Sequence, residues 1–223
     1  MGSQKEKQGI EQVAEQMPEK KESSNYKKHT TANPLRRALI NSFHKKLGEG
    51  ILELESKSVL DIGCGEGFVI TYLKNILPKT CFYGIDISPE SIEIAKKNNS
   101  DTKFEAGNFT DPSQTDFNGT LGKNEFDLVI CLEVLEHIPN FEAALVELQK
   151  INTDHYIFSV PNEPFFRLSN LLASKNIKLL GNDPEHVNNW TSNRFEKLIG
   201  RHFEIIKKLY PFPWQMLICK KKN

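Results

Sequence analysis

Glu133-Val134-Leu135-Glu136-His137 sets two carboxylates and an imidazole at positions i, i+3 and i+4. On one helical turn those positions share a face, so the three groups can converge. Such a cluster either moves protons, with a histidine as general base, or holds a hard-to-borderline divalent cation. A second histidine, His186, lies in Pro184-Glu185-His186-Val187-Asn188-Asn189-Trp190-Thr191. Upstream, Val59-Leu60-Asp61-Ile62-Gly63-Cys64-Gly65-Glu66-Gly67-Phe68 runs from an apolar stretch through an acid into three alternating glycines. Glycine adopts positive φ and admits a ligand close to the backbone. A helix that starts there offers free N–H groups, which suits a nucleotide-like ligand. A dinucleotide fingerprint would place its third glycine where Phe68 stands, so the pattern argues against a pyrophosphate cradle.

The elements that must position these groups alternate. Strands are expected at 58–63, 81–87, 103–106, 126–132 and 155–160. The helix after the first strand carries Val69, Tyr72, Leu73, Ile76 and Leu77 and stops at Pro78. Ser88-Pro89-Glu90 supplies an N-cap, a proline in the first turn and an acid for the helix dipole. Pro139-Asn140 opens a helix with Phe141, Ala144, Leu145, Leu148 and Ile151 on its core face. This alternation implies right-handed crossovers and a parallel sheet covered on both faces. A polar loop with Gly119 and Gly122 precedes the fourth strand. An insertion, 162–190, follows Pro161. Thr191 or Ser192 then caps a helix bearing Phe195, Leu198 and Ile199. Strands at 203–210 and 215–220, joined through Pro211-Phe212-Pro213-Trp214, are close enough to pair antiparallel.

With Asp61 just ahead of it, the glycine turn resembles motif I of the class I S-adenosylmethionine-dependent methyltransferases. The resemblance is tight over 58–160 and looser elsewhere. It implies a Rossmann-like α/β fold: a seven-stranded, mostly parallel sheet with an antiparallel C-terminal hairpin and helices on both faces. It also implies S-adenosylmethionine as methyl donor, bound by Asp61, Gly63, Cys64, Gly65, Gly67, Phe68, Asp86, Ile87, Asn108, Phe109, Cys131 and Leu132. Asp86 would accept from both ribose hydroxyls, Asn108 and Phe109 would meet the adenine, and Cys131 and Leu132 would flank the methionine. The His186-to-Trp190-Thr191 stretch is similar to one in small-RNA 3′-terminal 2′-O-methyltransferases and, less closely, in ubiquinone-pathway O-methyltransferases. By that resemblance Glu133, Glu136, His137 and His186 would be the catalytic set and would hold Mg²⁺ or Mn²⁺. The competing account keeps them metal-free, with His137 or His186 as general base.

Basic and acidic residues number 29 each in a chain of 223, so no global field draws in nucleic acid. No apolar run reaches the length of a membrane span. Cys64, Cys81, Cys131 and Cys219 show no paired spacing and are expected as buried thiols of a cytoplasmic protein. Residues 1–25 hold few apolar groups and read as a disordered tail before a single domain, 26–223. Within that domain, 26–50 is expected to supply a lid helix that starts at Asn33-Pro34, buries Leu35, Ala38, Leu39, Ser42 and Phe43, and brings Tyr26, His29 or Arg36 to the ligand. The insertion is expected to cap the acceptor, with Phe165, Phe166, Trp190, Phe212 and Trp214 forming an apolar pocket. The leading function is O-methylation of a small hydroxylated metabolite. Methylation of RNA 3′ ends, and a non-catalytic role that only binds S-adenosylmethionine, are the alternatives.

Overall fold

The computed structural model describes residues 23–111, 125–172 and 176–222. The expected tail up to residue 22 and the loop holding Gly119 and Gly122 lie outside the described residues. Two helices, α1 (Ser24–His29) and α2 (Pro34–Leu52), precede the sheet. Ser24 and Asn25, placed in the tail from sequence, belong to α1, because the Ser23 hydroxyl accepts the Tyr26 N–H and caps it.

The sheet follows as β1 (Ser58–Ile62), α3 (Phe68–Ile76), β2 (Cys81–Asp86), α4 (Pro89–Asn98), β3 (Lys103–Ala106), β4 (Leu128–Leu132), α5 (Phe141–Lys150) and β5 (His155–Pro161). The insertion contributes α6 (Phe165–Leu172), and α7 (Ser192–His202), β6 (Phe203–Leu209) and β7 (Trp214–Lys221) complete the chain. Its seven strands lie in the order β3-β2-β1-β4-β5-β7-β6. The first five are parallel; β7 runs antiparallel between β5 and β6. Strand order reverses between β1 and β4, and there the carboxyl ends of neighbouring strands open a crevice.

β1 and β4 are buried at every residue, as central parallel strands covered on both faces must be. Leu145, Leu148, Phe195 and Leu198 bring α5 and α7 against one face, with Leu60, Val129 and Cys131. Ile40, Leu47, Ile70, Leu73 and Ile92 bring α2, α3 and α4 against the other, with Val59, Leu128 and Ile130.

Two sequence expectations change here. The buried stripe of α2 is Ile40, Phe43, His44, Leu47 and Ile51, while Leu35 is 65% exposed. The helix runs on past its first two turns, and only its later turns reach the sheet. Cys81 is exposed at the start of β2, whereas Cys64, Cys131 and Cys219 are buried.

Candidate active site

The glycine turn is stitched to β2 by the Gly63 and Cys64 N–H groups, which both donate to the Ile85 carbonyl, at 2.7 and 3.0 Å. Gly63 has φ +75°, and a Cβ there would lie 2.3 Å from Val134 Cγ2, so only glycine fits. The Gly65 N–H donates to Asp86 Oδ2 at 2.8 Å, and the Ser88 N–H to Asp86 Oδ1 at 2.9 Å. Asp86 thus ties the turn to the end of β2 and to the start of α4. Burial pushes its carboxyl above the usual range, and the two N–H groups partly offset that. Asp61, fully buried beneath the turn, is raised much further by burial and by the nearby Asp86 charge.

Above the turn opens a cavity of about 440 Å³, within the range of small-molecule sites. Of the residues expected at the cofactor, Asp61, Gly63, Cys64, Gly65, Phe68, Asp86, Ile87, Asn108, Phe109 and Leu132 line it. Two expected residues do not. Gly67, with φ +76°, serves instead as the left-handed cap of α3. Cys131 points to the opposite face of β4 from Leu132, into the α5–α7 core, because side chains alternate along a strand.

At the far end of the cavity the chain leaves β4 through Glu133, whose φ is +59°. Its N–H donates to the Ser159 carbonyl, and its Oε1 accepts the Ser159 hydroxyl, each at 3.0 Å. Helical geometry begins only afterwards, as a single 3₁₀ turn, Leu135–His137. Glu133 therefore does not share a face with Glu136 and His137, as a continuous helix would have required. Glu136 is 1% exposed, and neither carboxylate oxygen meets a hydrogen-bond donor among the described residues. The Val187 and Asn188 N–H groups both donate to its carbonyl at 3.0 Å, which fastens the insertion to this turn.

That clamp delivers His186. One donor atom each from Glu136, His137 and His186 lies within 4.8 Å of the others. His137 Nδ1 sits 3.0 Å from the Glu185 carbonyl, which favours the proton on Nδ1 and leaves Nε2 as an acceptor. His186 Nδ1 is buried without a partner among the described residues, and burial, followed by His137 and opposed by Asp183, pushes the ring down to about 4. Burial raises Glu133, with Lys28 and the Ser159 hydroxyl opposing, and raises Glu136 further because Glu133 adds its charge. A buried carboxylate without a hydrogen-bond partner among the described residues, set beside the imidazoles of His137 and His186, fits a divalent cation. Glu133 stands outside the trio, at the cavity wall.

Helix α1 lies over the crevice. The Ser23 hydroxyl and the Asn25 amide donate to the carboxylate of Glu66, itself in the glycine turn. His29 stacks between Phe68 and His44, with ring centroids 4.9 and 5.3 Å away, and His44 stacks on Tyr72 at 4.7 Å. Tyr26 packs on Phe68. Of the three lid candidates only His29 lines the cavity; Arg36 is half-buried, and burial pushes its guanidinium below the ordinary value with Asp183 opposing. Sequence reasoning missed Lys28, His44 and Glu66. His44 was signalled by its place in the stripe with Ile40, Leu47 and Ile51. Lys28, one lysine of a Lys27-Lys28 pair, carried no such signal.

The five aromatic residues expected around the acceptor separate. Trp214 lines the main cavity, and Phe166 packs on both His186 and Trp214. Phe165, Tyr210 and Phe212 join Trp214 around a shallower groove of about 280 Å³. Trp190 is core, 3% exposed and packed against Phe141 and Phe195.

A family model described as a methyltransferase domain matches residues 54–204. A ubiquinone biosynthesis O-methyltransferase of Vibrio atlanticus is 29% identical over 191 residues, 83% of this chain and 71% of that protein. The protein of the same name from Hydrogenovibrio crunogenus is 32% identical over 108 residues, 48% of this chain and 40% of its own length. The chain thus spans less than half of several curated relatives it matches. Among solved structures, the plantazolicin methyltransferase BpumL, in complex with a triazolic desmethylPZN analog and SAH, aligns with TM-score 0.65 at 20% identity, covering 89% of each chain. The methyltransferase domain of bacterial CtHen1 aligns with TM-score 0.61 at 20% identity, covering 82% of this chain and 99% of that one. These two structures share the fold.

Proposed function

The chain belongs to the class I S-adenosylmethionine-dependent methyltransferases, and on that premise we propose that it methylates a hydroxyl of a small acceptor with the help of a divalent cation. The observation that carries this reading is Glu136, buried beside His137 and His186 with both oxygens unpaired among the described residues. The ubiquinone O-methyltransferase relatives support a hydroxyl as acceptor. S-adenosylmethionine would supply an activated methyl group, and the cation a Lewis acid that lowers the acceptor pKa.

The residues divide the remaining work. Asp86, at the end of β2 beside the glycine turn, would accept the ribose hydroxyls with lone pairs left after its two backbone bonds. Asn108 and Phe109 would receive the adenine. Glu136, His137 and His186 would hold Mg²⁺ or Mn²⁺. Glu133, fixed by Ser159 at the cavity wall, would face the acceptor and take up its proton. Trp214 and Phe166 would wall the acceptor and keep water out, and the groove behind Trp214 suits an apolar extension of it. Because the methyl group is activated already, alignment of acceptor oxygen and methyl is the main task left to the protein.

The test is turnover to S-adenosylhomocysteine with a panel of vicinal dihydroxy compounds, and with an RNA 3′ end as the contrasting acceptor. Activity should vanish in excess EDTA and return with Mn²⁺ or Mg²⁺. Full turnover in chelator would remove the cation and leave a histidine base. Turnover of the RNA alone would replace the acceptor class.

A further inference from the structure

Among the described residues, Lys28 is the one lysine or arginine that lines the main cavity, and the proposed chemistry gives it no task. Its Nζ lies 5.1 Å from the ring centroid of Trp214 and 5.9 Å from that of Phe43. No hydrogen bond or ion pair fixes that ammonium among the described residues; the two aromatic faces hold it. Its neighbour Lys27 is exposed, whereas Lys28 is half-buried. Aromatic faces stabilise an ammonium that has lost part of its water, and they leave its N–H donors open.

Ring contacts place this ammonium at the acceptor end of the cavity. Trp214 packs on Phe43 at 5.4 Å and on Phe166 at 6.4 Å, and Phe166 packs on His186 at 5.4 Å. Two rings, Trp214 and Phe166, therefore link Lys28 to the histidine pair. Trp214 begins β7, beside β5, while Asp86 ends β2 and Asn108 follows β3 on the other side of β1. The nucleoside half of the cavity is thus remote from Lys28 in the sheet order. A partly dehydrated ammonium with open donors, facing a sparsely hydrated cavity, favours an anionic oxygen. One ammonium offsets one negative charge. That suits a carboxylate better than a phosphate dianion, whose second charge would meet Glu133 on the cavity wall.

We propose that Lys28 determines specificity: its ammonium receives a carboxylate of the acceptor, so the acceptor is a hydroxylated carboxylic acid. This rests on the hydroxyl-acceptor reading above and narrows it.

The experiment uses the full chain with S-adenosylmethionine and Mn²⁺, and three probes: protocatechuic acid, its methyl ester and its primary amide. They share both ring hydroxyls and differ in charge. In the native protein kcat/KM should be at least tenfold higher for the acid than for the ester or the amide, with the difference in KM. Lys28→Met keeps the side-chain stem and removes the charge; it should bring that ratio to about one. Lys28→Arg and Lys27→Met should both keep the preference. Methylation of all three probes at similar kcat/KM by the native protein would overturn the carboxylate site and leave hydroxyl methylation standing. A preference that survives Lys28→Met would overturn it too, as would its loss in Lys27→Met, which would report the general charge of α1. Calorimetry with S-adenosylhomocysteine separates the other source of a carboxylate. A tenfold loss of that affinity in Lys28→Met, with the acid preference kept, would move the ammonium to the cofactor. Methylation of none of the three probes would overturn the hydroxyl-acceptor reading itself, and this inference with it.

Discussion

The Gly65 N–H donates to Asp86 Oδ2 at 2.8 Å, so the carboxylate expected to take the ribose also fastens the floor of the cavity. Asp86→Ala removes this bond and the Ser88 N–H bond to the other oxygen. Hydrogen bonds to a charged group contribute about 1.5–3 kcal/mol each. Affinity for S-adenosylhomocysteine should fall at least tenfold and the melting temperature should drop as well. Asp86→Asn, which keeps one acceptor oxygen, should lose less of both. Calorimetry and thermal melts on the two variants check this, and unchanged binding in Asp86→Ala would remove Asp86 from the cofactor site.

Gly63 and Val134 meet where the glycine turn touches the exit from β4. Gly63→Ala brings a Cβ within 2.3 Å of Val134 Cγ2 and places it at φ +75°. The left-handed conformation alone costs about 1–2 kcal/mol for an L-residue, and the clash adds to that. Adding Val134→Ala relieves the clash but leaves the backbone cost. The double variant should therefore be more stable than the sum of the single changes predicts, by about 1 kcal/mol. Strict additivity in urea melts would show that the two residues do not press on one another.

The alternation of strand and helix was legible because apolar runs, caps and prolines punctuate it, and Leu128–Leu132 and His155–Pro161 fall close to their expected places. The hairpin was legible from its short connection. The cavity floor was legible because glycines mark positive φ. What escaped is what only tertiary placement decides. Whether Cys131 or Leu132 faces the ligand depends on which side of β4 the cavity opens. Glu133 drops out of the Glu136 trio because backbone at φ +59° interrupts the turn, and no side-chain pattern announces that. Lys28 reads as a solvated charge until α1 folds back over the crevice.

Glu136 places a buried acid where stability and function oppose each other. Burial and the Glu133 charge raise its pKa, so its contribution to folding is best while protonated and worsens as pH rises above the usual carboxylate range. Glu136→Gln removes that charge while nearly keeping the shape. At pH 8, in chelator, the variant should be more stable than the native protein by about 1 kcal/mol, with a smaller gain at pH 5. Native protein should melt higher with Mn²⁺ and the variant should not. A variant that is less stable at pH 8 and still responds to Mn²⁺ would contradict both parts.

His44 gives the chain an acid-sensitive joint away from the acidic cluster. It is 7% exposed, stacked between His29 and Tyr72, and its Nε2 has no partner among the described residues. Burial, then the Lys28 charge, pushes it down to about 4 from an ordinary 6.5. With the folded value depressed, the unfolded chain binds the proton first, so stability is whole above pH 6.5 and is lost as pH falls toward 4. Between pH 7 and pH 5 this single group accounts for about 2 kcal/mol. In a chain of this size that is a fall of about 4–8 °C in melting temperature. His29, pushed down to about 2 mainly by burial, adds to the loss in the native protein. His44→Phe keeps a ring in the stack and removes the titration, so its melting temperature should fall less between pH 7 and pH 5, by that amount. Parallel curves for the two proteins would mean that His44 takes up no proton differently on unfolding.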